Sequence, residues 1–352
     1  MIEKDVANEK GNRKTFLSIA PPTIMNESKS YIDRQPAIMQ AGIFIFLLIA
    51  CSYIMVNLAY VLVGPLFGIS GADLLLNNLN EHPESFSGKM NEINAIKFIQ
   101  LFYTLGIFFL PAIIFGLTKK PGQDFLKLKN KTTVWMVLLA MAIIFLSAPA
   151  VNVIYNLNKM LNPQWLGSIG KIFIESEKTN DVLTDLFLKM PHFSDFAFNI
   201  LMVALIPAIA EELFFRGIIQ QGLKSLFKNV HAAVWLTATV FSLFHGDLFG
   251  FLPRILLGAL LGYLFLWSNS MLVNISAHFI NNAAQVVMVY LFQSGASGYD
   301  AQHDESVPVL LTIIFTLVMI GLLIIFYRKR VIEIIPEPDH TFNSFTPTDS
   351  NG

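Results

Sequence analysis

About eight apolar runs dominate this 352-residue chain, each long enough or nearly long enough to cross a lipid bilayer. They lie at 41–63, 95–118, 132–155, 197–220, 232–249, 253–267, 271–292 and 307–327. A spanning helix needs roughly 20 mainly apolar residues. In hydrocarbon the backbone must satisfy its own polar groups, which leaves helices as the natural solution for such runs. The alternation of strands and loops that a soluble fold would need is missing between them. The predicted fold class is therefore all-α, a polytopic membrane helix bundle with about eight transmembrane helices. The fifth and sixth runs are short and flank Gly250 and Pro253, so one of them is expected to be tilted or incomplete.

Composition agrees. Hydrophobic residues make up 54% of the chain and charged residues 14%, against about 25% charged in an ordinary soluble domain. A net charge of -1 argues against nucleic acid as a partner, because phosphate binding calls for clustered Lys and Arg. The single Cys51 lies in an apolar run, so it has no internal disulfide partner and a cysteine-based zinc site is excluded. Residues 1–36 lack the apolar core of a secretory signal.

Loop charges set the expected orientation in the cell membrane. Lys119, Lys120, Lys127, Lys129 and Lys131 follow the second run, Lys224 and Lys228 the fourth, and Arg328, Lys329 and Arg330 the eighth. All fall on one side if the N-terminus is cytoplasmic. The opposite loops carry Glu81, Glu84 and Glu92, and Asp300, Asp304 and Glu305. An even number of spans returns the C-terminus to the cytoplasm. The chain thus divides into a cytoplasmic N-terminal arm (1–36), a transmembrane bundle (37–330) and a cytoplasmic C-terminal tail (331–352). Between the third and fourth runs, 164–192 carries Leu183, Leu186, Phe187 and Met190 at helical spacing. That pattern predicts an interfacial helix, either a plain amphipathic connector or a gate for substrate.

Ionisable residues inside apolar runs are expensive and mark functional sites. The fourth run contains Glu211, Glu212 and Arg216. Adjacent carboxylates sit about 100° apart around a helix, so they face different neighbours. Glu212 and Arg216, four apart, are expected to pair. Glu211 then has no local cation and is the candidate general base or acid. Pro207 removes one helix hydrogen bond a turn earlier. The fifth run places Phe241 and His245 four apart, with Asp247 at its end. The seventh carries Asn274, then His278 and Asn282 at i, i+4. His278 and Asn282 suit an oxyanion site, a metal site or an interhelical hydrogen-bonding pair. At 1.5 Å per residue the depths of Glu211, His245 and His278 differ by roughly 9 Å, small enough for them to converge.

The order Glu211-Glu212-x-x-x-Arg216, Phe241-x-x-x-His245 and His278-x-x-x-Asn282 resembles the CPBP family of CAAX proteases and bacteriocin-processing enzymes, which includes the type II CAAX prenyl endopeptidases. The resemblance covers roughly 195–290, the expected peptidase core. It implies an intramembrane endopeptidase in which Glu211 and His245 activate a water, His278 and Asn282 support the oxyanion, and Glu212, Arg216 and Phe241 are supporting. The implied partners are a peptide or protein substrate at the membrane, prenylated or bacteriocin-like, and the lipid bilayer. Two versions of the chemistry stay open: a glutamate-dependent one, and a divalent metal such as zinc held by Glu211, His245 and His278. The missing H-E-x-x-H signature counts against the second. Outside this class, a non-proteolytic immunity or scaffold protein and a proton-coupled transporter are the alternatives. The transporter would be expected to show paired halves with broken helices, and none is visible.

Overall fold

The computed structural model describes residues 30–71, 89–119, 124–160, 167–300 and 307–330. Most of the N-terminal arm and the whole C-terminal tail lie outside the described residues, as do Lys120, Glu81, Glu84, Asp304 and Glu305. Among the described residues every regular element is a helix. We number the main ones α1 (Ala37–Phe67), α2 (Met90–Thr118), α3 (Val134–Lys159), α4 (Ser168–Phe187), α5 (Phe193–Phe227), α6 (Val230–Phe244), α7 (Phe251–Ser268), α8 (Met271–Gln293) and α9 (Val309–Arg328). Seven of these are long and apolar enough to cross a membrane, and α6 is a shorter apolar helix. The polytopic bundle expected from the sequence is what forms.

The fifth apolar run departs from its expected 232–249. Helix α6 ends at Phe244 after 15 residues, and 245–250 forms a loop. Gly246 takes φ +65°, a left-handed conformation that costs glycine nothing because it has no Cβ. The chain then turns back into α7, with the Gly250 N–H donating to Asp247 Oδ1 at 2.9 Å. His245 is therefore the C-cap of α6 rather than a residue within a span.

Helix α5 is not uniform. Its segments Ile200–Leu205 and Leu213–Gln220 are π-helical, and Ile206–Glu212 between them is α-helical with Pro207 in its first turn. Proline lacks the N–H that a preceding turn would use. Single π-turns inside α-helices recur at functional sites. Here the second π-segment begins directly after Glu212.

Helices α6 and α7 pack closely because Gly258 and Gly262 leave no side chain between them. A Cβ on Gly258 would sit 3.2 Å from Ala238 Cα and Cβ, and one on Gly262 would sit 2.9 Å from Val234 Cγ1. The same glycines leave their carbonyls open to α5. Arg216 Nη2 donates to Gly258 O at 3.0 Å, and Gln220 Nε2 donates to Gly262 O at 3.0 Å. Small residues at i, i+4 thus let two backbones approach and let a third helix hydrogen-bond to one of them. An aromatic layer of Phe108, Phe214, Phe215, Phe241 and Phe244 fills the space between α2, α5 and α6.

The segment between the third and fourth runs forms the helix α4, as the spacing predicts, but it ends at Phe187, so Met190 lies beyond it. It docks on the bundle: Leu186 packs with Val63, Ile93 and Ile96, while Leu188 and Met190 pack with Val286 and Val289. At the opposite end of the bundle the basic connections are tied together. Gln221 Nε2 donates to Phe125 O at 2.8 Å, Asn130 Nδ2 to Asn269 O at 2.6 Å, and Lys119 Nζ pairs with Asp33 at 3.4 Å.

Gly258→Leu should force α6 and α7 apart and remove the Arg216 contact. Overpacking of this kind costs about 1–3 kcal/mol, and a lowered melting temperature of the detergent-solubilised protein would register it.

Candidate active site

The centre of the bundle is a carboxylate with no access to water. Glu212 on α5 has 0% exposure, as does Arg216 one turn later, and Arg216 Nη1 lies 2.9 Å from Glu212 Oε1. Two further donors come from α8. Asn274 Nδ2 donates to Glu212 Oε2 at 3.0 Å, and His278 Nδ1 lies 2.8 Å from Glu212 Oε1. Charges this deep cost several kcal/mol each in lost hydration, and only close pairing with further hydrogen bonds offsets that. Asn274 Nδ2 also reaches Leu261 O on α7 at 2.8 Å, and the Arg216 guanidinium lies 5.2 Å from the centroid of the Phe241 ring. One ion pair therefore ties α5 to α6, α7 and α8.

This pairing fixes the orientation of His278. A carboxylate accepts, so Nδ1–H is the donor to Glu212. The remaining ring nitrogen, Nε2, lies 3.8 Å from Glu211 Oε2. That is too long for a direct hydrogen bond, and one water could bond to both atoms. Glu211 Oε2 is buried and has no hydrogen-bond partner. The two adjacent carboxylates thus differ sharply: Glu212 is hydrogen-bonded to Asn274 and His278 and ion-paired with Arg216, while Glu211 keeps an unused oxygen facing an imidazole.

His245 approaches from the loop after α6. Its Nδ1 lies 2.8 Å from Phe241 O. A carbonyl accepts, so the neutral ring carries its proton on Nδ1 and leaves the Nε2 lone pair free. Unlike His278, this residue is exposed. Phe241 stands between the two imidazoles, its centroid 4.7 Å from the His245 ring and 6.0 Å from the His278 ring. Asn282, one turn beyond His278 on α8, is occupied differently. Its Nδ2 donates to Val203 O in the first π-segment at 3.4 Å, and its Oδ1 accepts from Asn281 Nδ2 at 3.1 Å.

All seven residues singled out in the sequence lie in α5, α6 and its C-cap, and α8. The structure brings Glu211, Glu212, Arg216, Phe241 and His278 into one connected group, with His245 joined through Phe241. The sequence reading gave no role to Asn274 or Gln220. Asn274, His278 and Asn282 form an i, i+4, i+8 polar stripe on α8, and Glu212, Arg216 and Gln220 form its counterpart on α5. That repeated spacing was the available signal. Among the described residues, no three His, Cys, Asp or Glu side chains are gathered as ligands for a metal ion. Glu211, His245 and His278 do not form a ready three-donor set in this arrangement.

A bundle of membrane-length helices around buried Glu and His side chains defines a polytopic helical membrane protein. Residues 193–284 match the family described as type II CAAX prenyl endopeptidase Rce1-like, about a quarter of the chain. This segment, which holds every residue of the site, is similar to that family, and the seven membrane-length helices make the chain a multi-pass membrane protein. No curated protein and no solved structure matches the chain.

Removing one partner of a buried ion pair strands the other charge. Arg216→Met should destabilise the protein by about 3–5 kcal/mol. The double variant Glu212→Gln/Arg216→Met should be more stable than Arg216→Met alone, a comparison that thermal melts in detergent would make.

Proposed function

We propose that the chain is an intramembrane endopeptidase that hydrolyses a peptide bond through a water activated by Glu211 and His245. The observation that carries this reading is the division of labour between the paired carboxylates. Glu212 orients His278, and Glu211 is left with an unbonded oxygen 3.8 Å from Nε2 of that ring. In the proposed reaction, water donates one hydrogen to Glu211 and the other to the free Nε2 of His245. Glu211 takes the proton as the water oxygen bonds to the scissile carbonyl carbon. The carbonyl oxygen becomes an oxyanion supported by His278 and the Asn282 amide. Asn282 must leave Val203 to do so, and its 3.4 Å bond there is a long one. Glu211 then passes the proton to the leaving nitrogen as the C–N bond breaks. A divalent metal, if bound, would supply further polarisation of the water or carbonyl; Glu211, His245 and His278 are the donors nearest to hand.

The substrate class that fits is a prenylated peptide of the CAAX type. A prenyl chain partitions into lipid and brings its attached peptide to the membrane, where a site inside the bundle can meet it. The basic connections gathered at one end of the bundle favour that end, with both termini, on the cytoplasmic side.

The reading is tested with a farnesylated CAAX peptide and its unprenylated twin. Glu211→Gln and His245→Ala should each lower kcat by about 10²–10⁴-fold while leaving the melting temperature near that of the parent. Undiminished cleavage by either variant refutes the assignment. Equal cleavage of the two peptides refutes prenyl recognition. Metal analysis of the purified protein, with a chelator arm in the same assay, separates the metal-dependent and metal-free versions. Orientation is read separately. In a Cys51→Ala background, a cysteine at Lys129 should resist an impermeant maleimide added to intact cells.

A further inference from the structure

The loop that carries His245 is held from outside by groups the reaction does not use. Asp247 accepts from the Gly250 N–H at 2.9 Å and is ion-paired to Arg254 at the start of α7. Asn158 at the end of α3 donates to the carbonyls of Leu248 and Phe249 at 3.0 and 2.8 Å. Ser242 Oγ donates to Phe251 O at 2.7 Å. The remaining holder comes from α4. Glu177 on this helix is only 8% exposed, and its carboxyl is hydrogen-bonded to Asp247. A buried glutamate on an interfacial helix, aimed at an aspartate two residues from the candidate catalytic imidazole, has no role in packing an apolar core.

We propose that Glu177 and Asp247 are positioning residues for His245. Helix α4 is a strap whose docking through this carboxyl–carboxylate contact sets the loop, and so the direction of the imidazole. The inference rests on the peptidase reading for its catalytic consequence, but the strap itself is a structural statement that stands apart from it. Two carboxyl groups hydrogen-bond only when one of them is protonated, and Glu177 is the one that holds the proton. Burial, then the hydrogen bond and charge of Asp247, then the charge of Asp181 on the same helix, push it up to about 8, with Arg254 opposing. Tyr155 on α3 is the other titratable group facing it. Asp247, ion-paired with Arg254 and bonded to the Gly250 N–H, is the acceptor. The sign follows from linkage. A carboxyl raised from 4.5 to about 8 contributes docking stability in full below its ordinary value, and that contribution is lost as the pH rises through about 8.

The test uses the full chain in lipid nanodiscs, comparing the parent, Glu177→Ala and Glu177→Gln. Glutamine keeps a neutral donor toward Asp247; alanine does not. Hydrogen exchange across 245–250, corrected for intrinsic rates, should speed up in Glu177→Ala and stay near the parent in Glu177→Gln. Above pH 8 the parent loop should lose protection and the Glu177→Gln loop should keep it. On the farnesylated peptide, Glu177→Ala should lose about tenfold or more in kcat with KM little changed, as expected for a misplaced catalytic group, and Glu177→Gln should restore it. Equal loop protection in all three proteins overturns the strap. Loss of protection without loss of kcat overturns the positioning role. A parent protein that cleaves nothing would sink the peptidase reading, and the exchange comparison would still decide whether the strap exists.

Discussion

A carboxylate and a guanidinium with no exposure must find every compensation inside the protein. Glu212 and Arg216 do this by recruiting helices far away in sequence: Asn274 and His278 from α8, the Gly258 carbonyl from α7 and the Phe241 ring from α6. The cost of leaving either charge unpaired makes this one arrangement strongly preferred over alternatives in which the helices slide or rotate. The glycines of α7 belong to the same constraint, because only a bare backbone leaves a carbonyl accessible to Arg216 while α6 packs directly behind it.

The proposed chemistry of the site follows from that structural pair. Two adjacent carboxylates on a helix cannot share an environment, since about 100° separates them. The one turned into the bundle has two hydrogen bonds and an ion pair. The one beside it inherits an imidazole whose other nitrogen is already committed. Pairs of titratable groups placed in different environments are how proteins assign acid and base roles. Here geometry carries the proposed assignment: the donors that satisfy Glu212 also decide which nitrogen Glu211 meets.

Much of this was legible in the sequence. Apolar runs give spans because the period and length of a helix are local properties, and Glu212–Arg216 pairing follows from i, i+4 spacing. The sequence did not show that His278 binds Glu212 more closely than Glu211. That depends on how α8 is rotated against α5, and the π-segments on either side of Ile206–Glu212 shift the angular register that a 3.6-residue period assumes. Asn274 went without a role for the same reason: an asparagine in an apolar helix has no local partner to reveal it. The early end of α6 was partly foreseeable from Gly250 and Pro253, but the turn is made at Gly246, whose positive φ no pattern announces.

The short α6 bears on how water reaches such a site. At 1.5 Å per residue, 15 residues rise roughly 22 Å, less than the ~30 Å of a hydrocarbon core. The loop after it therefore falls at or within membrane depth, where irregular backbone is tolerated only if it is buried in protein or lines a wet cavity. Both conditions are met in part. Asn158, Ser242 and Asp247 satisfy the carbonyls of Leu248, Phe249 and Phe251 and the N–H of Gly250, so the loop does not need lipid to be absent. His245, alone among the candidate catalytic side chains in being exposed, then stands at the boundary between that loop and the buried Glu211–His278 pair. A hydrolase inside a bilayer needs one place where water can enter without opening the bundle. In the proposed reading, a truncated helix capped by an imidazole supplies that place, beside the loop that α4 is proposed to hold.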